Sequence, residues 1–404
     1  MNDSINNSGA DYVTQVVNDP RAVSAADWNG LLDATPGGAC DGPFMRHEYL
    51  CALHTSGSAT PDTGWTPHWV LLWHGHQLAA AAPLYAKTHS YGEYVFDWAW
   101  ARAYSDHGLD YYPKGLVAVP FTPVPGPRLL ALNETARQAL VTAIHQQAIA
   151  QDWSSVHVLF AAEADMRSTA HAGWMPRQTV QFHWQNRHPG EGQRPFRDFE
   201  DLLCSLSQEK RKKIRQERRK VSEAGILCSQ RRGHEITPDD WAFFYACYAQ
   251  TYRAHGNAPY LSPDFFASMA EHLAPYWLMT VAHTASGERV GCSLVALSDP
   301  SAHPKAAFGR YWGAIAPVDC LHFEACYYQP LQWCIEHGVE RFEGGAQGEH
   351  KMARALMPTR THSAHWLAHP AFADAVDRFL QREGDGMEHY LTHLNERSPF
   401  RQGV

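Results

Sequence analysis

One stretch in the second half of the chain combines glycines with charged side chains. It reads RFEGGAQGEHKMARALMP, residues 341–358. The residues with chemical potential follow one another closely: Gly344, Gly345, Gly348, Glu349, His350 and Lys351. Glycines let the backbone approach a ligand closely. The pattern predicts either a ligand-binding turn that carries a functional lysine, or a plain surface turn with an ion pair between Lys351 and Glu349.

A second candidate site is the basic segment SQEKRKKIRQERRK, Ser207 to Lys220, which has eight basic and two acidic residues. Apolar residues recur at helical spacing through it and predict a helix within 200–222 with one docked face: Leu203, Leu206, Ile214 and Val221. Arginine can hold two phosphate oxygens at once. We therefore predict a phosphate clamp that uses Lys210, Arg211 and Arg215. The alternative is a solvated helix with internal pairs such as Glu209 to Lys213.

The aromatic run VFDWAW contains a carboxylate, Asp97, in a segment predicted as a strand over Gly92 to Trp100. A carboxylate on an apolar strand must be compensated by a bonding partner or serve a function, so Asp97 is a candidate general base. A structural hydrogen bond to a neighbouring tyrosine or tryptophan is the alternative. His322 and Glu324, near the start of a predicted helix, are further candidates.

The elements that position these residues are duplicated at a distance of roughly 210 residues. Hairpins are predicted over His68 to Lys87 and over Trp277 to Leu297. Each copy then continues with an aromatic strand, a helix and a closing strand: 92–100, 133–151 and 155–160 in the first, 307–315, 321–338 and 339–344 in the second. We predict an α/β (α+β) fold of two such units, residues 1–178 with a polar N-terminal tail and residues 179–404 with the basic helix. Their mixed, mostly antiparallel sheets are flanked by helices.

Composition limits the class of protein. A formal charge of −8 on 404 residues favours a local anion site over general nucleic-acid wrapping. Nine cysteines without a zinc-type spacing indicate reduced thiols, and no apolar stretch is long enough for a membrane span. The polar start MNDSINNSGADYVTQ does not resemble a signal peptide, so a cytoplasmic location is expected. His362, His365 and His369 have no carboxylate or cysteine to complete a metal site, and no metal is predicted.

Several stretches resemble the Fem-type (FemAB-like) aminoacyltransferases, which are tandem acetyltransferase-like (GNAT) units. They are GEYVFDWAWA, YYPK, VAVPFTPVPGPRLL, RYWG, LHFEACYYQ and FEGGAQGEHK. The resemblance extends from about Phe44 to Arg401. It implies that an amino acid passes from an aminoacyl-tRNA to an amine of a peptidoglycan precursor. It also implies a catalytic lysine at the position of Lys351, although His350 stands where the family commonly has an aromatic residue.

On this basis we expect an N-acyltransferase with Lys351 and Asp97 as catalytic residues. The substrate-binding set consists of the basic residues and turn residues above together with Arg310 and Tyr311 of RYWG. No tightly bound cofactor is expected, since the donor, aminoacyl-tRNA or acyl-CoA, is a co-substrate. One alternative is an acetyl-CoA-dependent GNAT enzyme, because Arg341-Phe-Glu-Gly-Gly-Ala matches the R-x-x-G-x-A pattern of a CoA pyrophosphate loop. The other is a non-catalytic module that binds a cell-wall precursor or RNA.

Overall fold

The computed structural model describes residues 12–38, 42–190, 192–346 and 348–401. Residues 1–11 of the predicted polar tail therefore lie outside the described residues. The chain forms two compact units, Met1–Thr179 with Arg360–Tyr390, and Val180–Thr359 with Leu391–Val404. The first change of unit falls beside the predicted boundary at 178/179. Residues 360–390, which were expected in the second domain, belong to the first unit.

Within residues 12–38 and 42–174, the first unit contains five α-helices and eight strands, and the chain then enters β9. The helices are α1 (Ala25–Ala34), α2 (His47–Thr55), α3 (Trp98–Asp106), α4 (Glu134–Ala150) and α5 (Glu163–His171). The strands are β1 (Tyr12–Val17), β2 (Trp65–Pro67), β3 (Trp69–His74), β4 (Gln77–Ala82), β5 (Leu84–Lys87), β6 (Lys114–Val117), β7 (Leu130–Ala131), β8 (Ser155–Leu159) and β9 (Met175–Gln185).

In the first unit β1, β3, β4 and β7 form one antiparallel sheet. A second set of neighbouring strands has the order β8, β6, β5, β2, in which β6 and β8 are parallel. Helix α4 connects this parallel pair and begins where the Asn133 side chain accepts a hydrogen bond from the Ala136 amide. Its residues Leu140 and Ile144 are fully buried at helical spacing in the core of the unit. The predicted helix 133–151 and the predicted hairpin after His68 are confirmed.

The strand predicted over Gly92 to Trp100 is wrong. This segment is an irregular loop followed by α3, with Gly92 and Tyr94 at positive φ. The reason lies in the spacing of its buried polar residues, Ser90, Glu93 and Asp97, which all contact Lys114 on β6. Intervals of three and four residues cannot face one side of a strand, where alternate residues share a face. Strand β6 takes the place in the sheet that was assigned to 92–100.

The second unit contains the basic helix and a six-stranded arrangement. Its helices are α6 (Phe199–Ser205), α7 (Gln208–Glu223), α8 (Pro238–Ala254), α9 (Pro263–His272), α10 (Leu321–Phe323) and α11 (Gln329–Glu336), with a π-helical turn at Glu324–Tyr328. Its strands are β10 (Ile226–Arg232), β11 (Trp277–Thr284), β12 (Arg289–Leu297), β13 (Ala306–Ala314) and β14 (Arg341–Glu343). We call the 3-10 helix Glu349–Arg354 the lysine turn. Strand β15 (Met357–Leu367) and helix α12 (Pro370–Glu396) follow it.

The strands of the second unit have the order β10, β11, β12, β13, β14, β9, and β13 and β14 are parallel. Their pairing ends at Phe308 and Glu343, whereas β13 continues to Ala314. A cleft therefore opens between the strands beyond that point. The first unit repeats this parallel pair, because its strands β6 and β8 are also parallel and joined by a helix. The predicted class of two α/β units with mixed, mostly antiparallel sheets is confirmed.

Strand β15 returns the chain to the first unit. Its residues Ser363–Leu367 pair antiparallel with β8, and the first part of α12 contributes Val376 and Leu380 to a buried cluster with Trp100 and Tyr104. Within the ranges that are described, no helix is both long and apolar enough to cross a lipid bilayer.

Candidate functional site

The cleft beyond the β13–β14 pairing holds a small cavity of about 110 Å³. Its lining comes from β12, β13, the π-helical turn and the end of β14: Ser293, Leu294, Val295, Gly309, Arg310, Tyr311, Trp312, His322, Cys326, Tyr327 and Gly344. Arg310, Tyr311 and Gly344, three residues of the predicted binding set, thus meet at one place. We call this cavity the inner pocket.

Lys351 lies directly behind the wall that Gly344 forms. A Cβ placed on Gly344 would stand 3.3 Å from Cδ of Lys351. The lysine is only 3 % exposed, and its Nζ donates hydrogen bonds to the carbonyl oxygens of Gly345 (3.0 Å) and Ala346 (2.9 Å). Burial lowers the pKa of Lys351 to about 8. An ammonium carries three N–H groups, and backbone carbonyls accept from two of them.

The alternative of a surface pair between Lys351 and Glu349 is wrong. Glu349 accepts instead from Arg397 at 3.2 Å, and the lysine side chain is turned inward. The lysine turn begins after Gly348, which has a φ of +122° and lies against the His350 ring.

The glycines are required by close packing. A Cβ on Gly344 would lie 2.5 Å from Leu356, and Gly345 has a φ of +79°. Gly344 donates its own N–H to the carbonyl of Phe182 at 3.3 Å, so this amide is not available to an oxyanion.

The basic helix α7 packs against the lysine turn. Glu217, a buried acid in the basic segment, accepts two hydrogen bonds from Arg354 (3.0 and 2.9 Å) and one from the hydroxyl of Tyr328. Arg354 also donates to the carbonyl of His350 at 2.9 Å, and its guanidinium lies 3.6 Å from the Phe323 ring centre. The predicted docked face is confirmed, since Ile214 and Val221 are buried. The single helix predicted over 200–222 is wrong, because α6 ends at Ser205 and the backbone is extended at Leu206 before α7 begins at Gln208.

A second pocket of about 380 Å³, the outer pocket, lies where α7 and the lysine turn meet. Its lining residues are Lys210, Glu349, His350, Met352, Ala353, Arg397 and Pro399. Lys210, which also pairs with Glu209 at 3.0 Å, is thereby placed beside two more residues of the predicted binding set. Arg211 is half-buried, whereas Arg215 is exposed and forms an ion pair with Glu200. The predicted internal pair between Glu209 and Lys213 is absent from the described contacts.

Cys326 and Tyr327 were missed by the sequence analysis. They line the inner pocket together with His322, and burial lowers the pKa of His322 to about 4. Residues four and five positions apart share a face here because the π-helical turn inserts extra residues per turn. Helical periodicity of 3.6 does not reveal that face. Glu324, by contrast, points away from the pocket and accepts from Arg218 of the basic helix at 3.1 Å.

Asp97 belongs to the first unit and is not on a strand. It is 3 % exposed, pairs with buried Lys114 and accepts a hydrogen bond from the hydroxyl of Tyr111 at 2.7 Å. Burial opposes its ionisation, but Lys114 and His157 outweigh this effect and lower the pKa of Asp97 to about 2. A carboxylate held in this way is a weak base, and its contacts fit the structural alternative drawn from the sequence.

Arg341 begins the short strand β14 and pairs with Glu343 at 2.9 Å. Its motif follows a helix rather than opening one, so no helix N-terminus faces Gly344 and Gly345. At the preceding strand-to-helix connection, before Leu321, stands Asp319, which pairs with Lys220 at 2.6 Å. An acidic residue there does not favour a pyrophosphate.

Residues 19–402 match the model of the FemAB-like family, which is described as peptidoglycan biosynthesis/recognition. The chain belongs to this family. None of the curated proteins matches it significantly.

Among solved structures, the chain is similar to FemX, with 9% identity over 88% of this chain and 98% of that one and a TM-score of 0.51. It is also similar to L-PGS from Bacillus licheniformis, with 10% identity over 88% of this chain and 97% of that one and a TM-score of 0.50. At such identities these likenesses concern the fold alone, and they confirm the predicted Fem-type fold.

Proposed function

We propose that the protein is an acyltransferase of the Fem type, which transfers an aminoacyl group from an aminoacyl-tRNA to the amine of a cell-wall precursor. One observation carries the proposal. The buried side chain of Lys351 packs with its Cδ behind Gly344, a residue that lines the pocket where β13 and β14 separate. A fixed positive charge in a partly dry site stabilises an oxyanion far better than one in water.

The reaction would proceed as follows. The neutral acceptor amine attacks the ester carbonyl, and the remaining N–H of Lys351 stabilises the oxygen of the tetrahedral intermediate. The attack forms the C–N bond, and collapse of the intermediate restores the carbonyl and breaks the ester C–O bond. The proton lost by the amine passes to the leaving 3′ oxygen, so that the products are the amide and a free tRNA hydroxyl. His322 lines the pocket and its lowered pKa keeps it neutral near pH 7, so its ring can accept a hydrogen bond from the attacking amine.

The charge distribution favours tRNA over acyl-CoA as the donor. Lys212, Lys213 and Arg219 are exposed on α7, the helix that forms one side of the outer pocket. Phosphate groups of a nucleic acid would find a cationic surface there. A CoA pyrophosphate would need amides at a helix N-terminus, but Arg341 lies in a strand and Asp319 precedes α10.

The proposal is tested by incubating purified protein with labelled charged tRNA or labelled acetyl-CoA and a peptidoglycan precursor that carries a free amine. Transfer from tRNA that falls at least a hundredfold in Lys351→Ala supports it. Transfer from acetyl-CoA alone would indicate the ordinary GNAT reaction instead. Precursor or RNA binding without transfer from either donor would indicate a non-catalytic module.

A further inference from the structure

The loop at residues 90–98 exposes three large aromatic side chains within eight positions. Tyr91 is 59 % exposed, Phe96 is 51 % and Trp98 is 42 %. The rings of Tyr91 and Trp98 contact each other edge to face, with centroids 5.1 Å apart. Exposed aromatic rings that cluster in this way are a candidate binding surface. We call Tyr91, Phe96 and Trp98 the aromatic patch.

Buried charged side chains hold the backbone of the aromatic patch in place. Lys114 is fully buried and donates to Ser90 (2.8 Å), Glu93 (2.8 Å) and Asp97. Burial opposes the charge of Lys114, but Glu93 and Asp97 outweigh it and raise the pKa of the lysine.

Two further cations hold carbonyl groups of the patch itself. Lys87, also fully buried, donates to the carbonyl of Tyr91 at 3.4 Å, and its Nζ lies 3.7 Å from the Trp65 ring centre. Arg177 donates to the carbonyl of Phe96 at 2.8 Å. The loop has no regular secondary structure, yet it is fixed at both ends and in the middle.

Such buried ion clusters seldom add stability, because desolvation offsets the attraction between the charges. This cluster has a clear consequence, however, since it turns residues 90, 93 and 97 inward and the intervening aromatic rings outward. A rigid loop with exposed rings is prepared for a ligand, because little conformational entropy is lost on binding. The buried charges thus explain why the aromatic patch is already formed before a ligand binds.

The charge around the patch indicates the kind of ligand. Arg102, one turn after Trp98 on α3, is 84 % exposed at its side chain and pairs weakly with Asp106 at 3.9 Å. His89 contacts the edge of the Tyr91 ring at 5.4 Å. A rim so nearly neutral attracts neither nucleic acid nor an anionic membrane. It suits an uncharged ligand with an apolar face and many hydroxyl groups.

We propose that the aromatic patch binds a sugar ring of the acceptor, namely an N-acetylated amino sugar of the cell-wall precursor. The ring would stack on Trp98 and Tyr91, while His89 and Arg102 form hydrogen bonds with its polar substituents. The proposal rests on the proposed function for the identity of the acceptor. Its test, however, requires neither a donor nor Lys351.

The experiment measures binding of diacetylchitobiose and of muramyl dipeptide to the full chain by saturation-transfer NMR and equilibrium dialysis. We expect both probes to bind, and Trp98→Ala and Tyr91→Ala each to weaken binding about fivefold or more. Ile149→Ala changes another exposed residue of the first unit (64 % exposed) and should leave binding unchanged. Ser90→Ala keeps the rings but removes one acceptor of Lys114, so it should weaken binding by a smaller factor.

Three results would overturn the inference: unchanged sugar binding in both aromatic variants, binding of phosphatidylglycerol vesicles that depends on Trp98, or a dimer that Trp98→Ala dissociates. Transfer from tRNA with sugar binding unaffected by the variants would remove this inference and leave the proposed function intact. Sugar binding through Trp98 in a protein that transfers from no donor would remove the proposed function and leave this inference intact.

Discussion

Lys351 combines burial with a hydrogen-bonding pattern that holds its ammonium in one place. Two backbone carbonyls accept from it, and desolvation lowers its pKa from 10.5 to about 8. The two effects oppose each other in part, because the carbonyls favour the charged form that burial disfavours. At neutral pH the side chain is still mainly protonated, as an oxyanion-stabilising role requires.

The pH dependence of transfer should reveal that protonation. The active form of Lys351 is present below its pKa, so its contribution is lost as the pH rises through about 8. Lys351→Arg keeps the positive charge at all accessible pH values. The ratio of wild-type to Lys351→Arg rates should therefore be constant below pH 7 and fall about tenfold per pH unit well above pH 8. A ratio that is constant from pH 6 to 10 would contradict a charged role for Lys351.

Gly344 is expected to tolerate no side chain. An added Cβ would lie 2.5 Å from Leu356, in a packed region that includes the Lys351 stem. Gly344→Ala should cost about 1–3 kcal/mol in the free energy of unfolding, as overpacking does elsewhere. Gly384→Ala is the matched control, because no atom stands within 4 Å of that Cβ and alanine favours the helix α12. Denaturant unfolding of the two variants should move the midpoints in opposite directions.

Helix α7 is joined to the lysine turn by one buried ion pair. Side chains of Arg354 and Glu217 are 3 % and 9 % exposed, and Arg354 also holds the carbonyl of His350. The helix proposed to bind the donor and the turn proposed to stabilise the oxyanion are thus fixed to each other. The Arg354 guanidinium is thus the connection between the two elements.

Removing one partner of that pair should be costly. Glu217→Gln leaves Arg354 buried with less compensation, and we expect a loss of about 3–5 kcal/mol in the free energy of unfolding. Asp319→Asn serves as the control, since its pair with Lys220 on the same helix is exposed on both sides and should matter little. Equal losses in the two variants, measured by denaturant unfolding, would show that the Glu217–Arg354 contact has no special role.

The sequence predicted helices and strands correctly wherever apolar periodicity was regular. Helix α4, the hairpin β11–β12 and the docked face of α7 all follow from such patterns. It failed at Gly92 to Trp100, where aromatic letters suggested a strand but buried partners of Lys114 at intervals of three and four produced a loop. It also missed Cys326 and Tyr327, because a π-helical turn changes the face that each residue occupies. The first failure comes from contacts with a distant part of the chain, and the second from a local helical irregularity that apolar periodicity does not reveal.

The division of the whole chain is likewise a matter of distant contacts. The order of elements predicted two units, but no local pattern shows that residues 360–390 return to the first. That assignment depends on pairing between β15 and β8 and on the two hydrogen bonds of Arg177 with Glu383, at 2.7 and 2.8 Å. Neither contact has a signature in the separate stretches.

A chain that ends at Thr359 should therefore fail to complete the first unit. Strand β8 would lose its antiparallel neighbour and expose backbone N–H and C=O groups, while Trp100 and Tyr104 would lose Leu367 as a packing partner. We expect rapid proteolysis within residues 90–179 and a lower unfolding temperature. A chain that ends at Arg401 keeps these contacts and is the control. Equal protease resistance of the two chains would show that 360–390 are dispensable for the first unit.

The return of β15 also determines when the first unit can fold during synthesis. His157 on β8 and His365 on β15 are hydrogen-bonded at 2.8 Å across a separation of 208 residues. At about 5–20 residues per second, a ribosome needs roughly 10–40 s to make the intervening chain. During that interval the edge of β8 is open to wrong partners, including nascent chains on neighbouring ribosomes. The unit that is translated first is thus completed late, after most of the second unit has been made. Until then its incomplete fold is a substrate for chaperones.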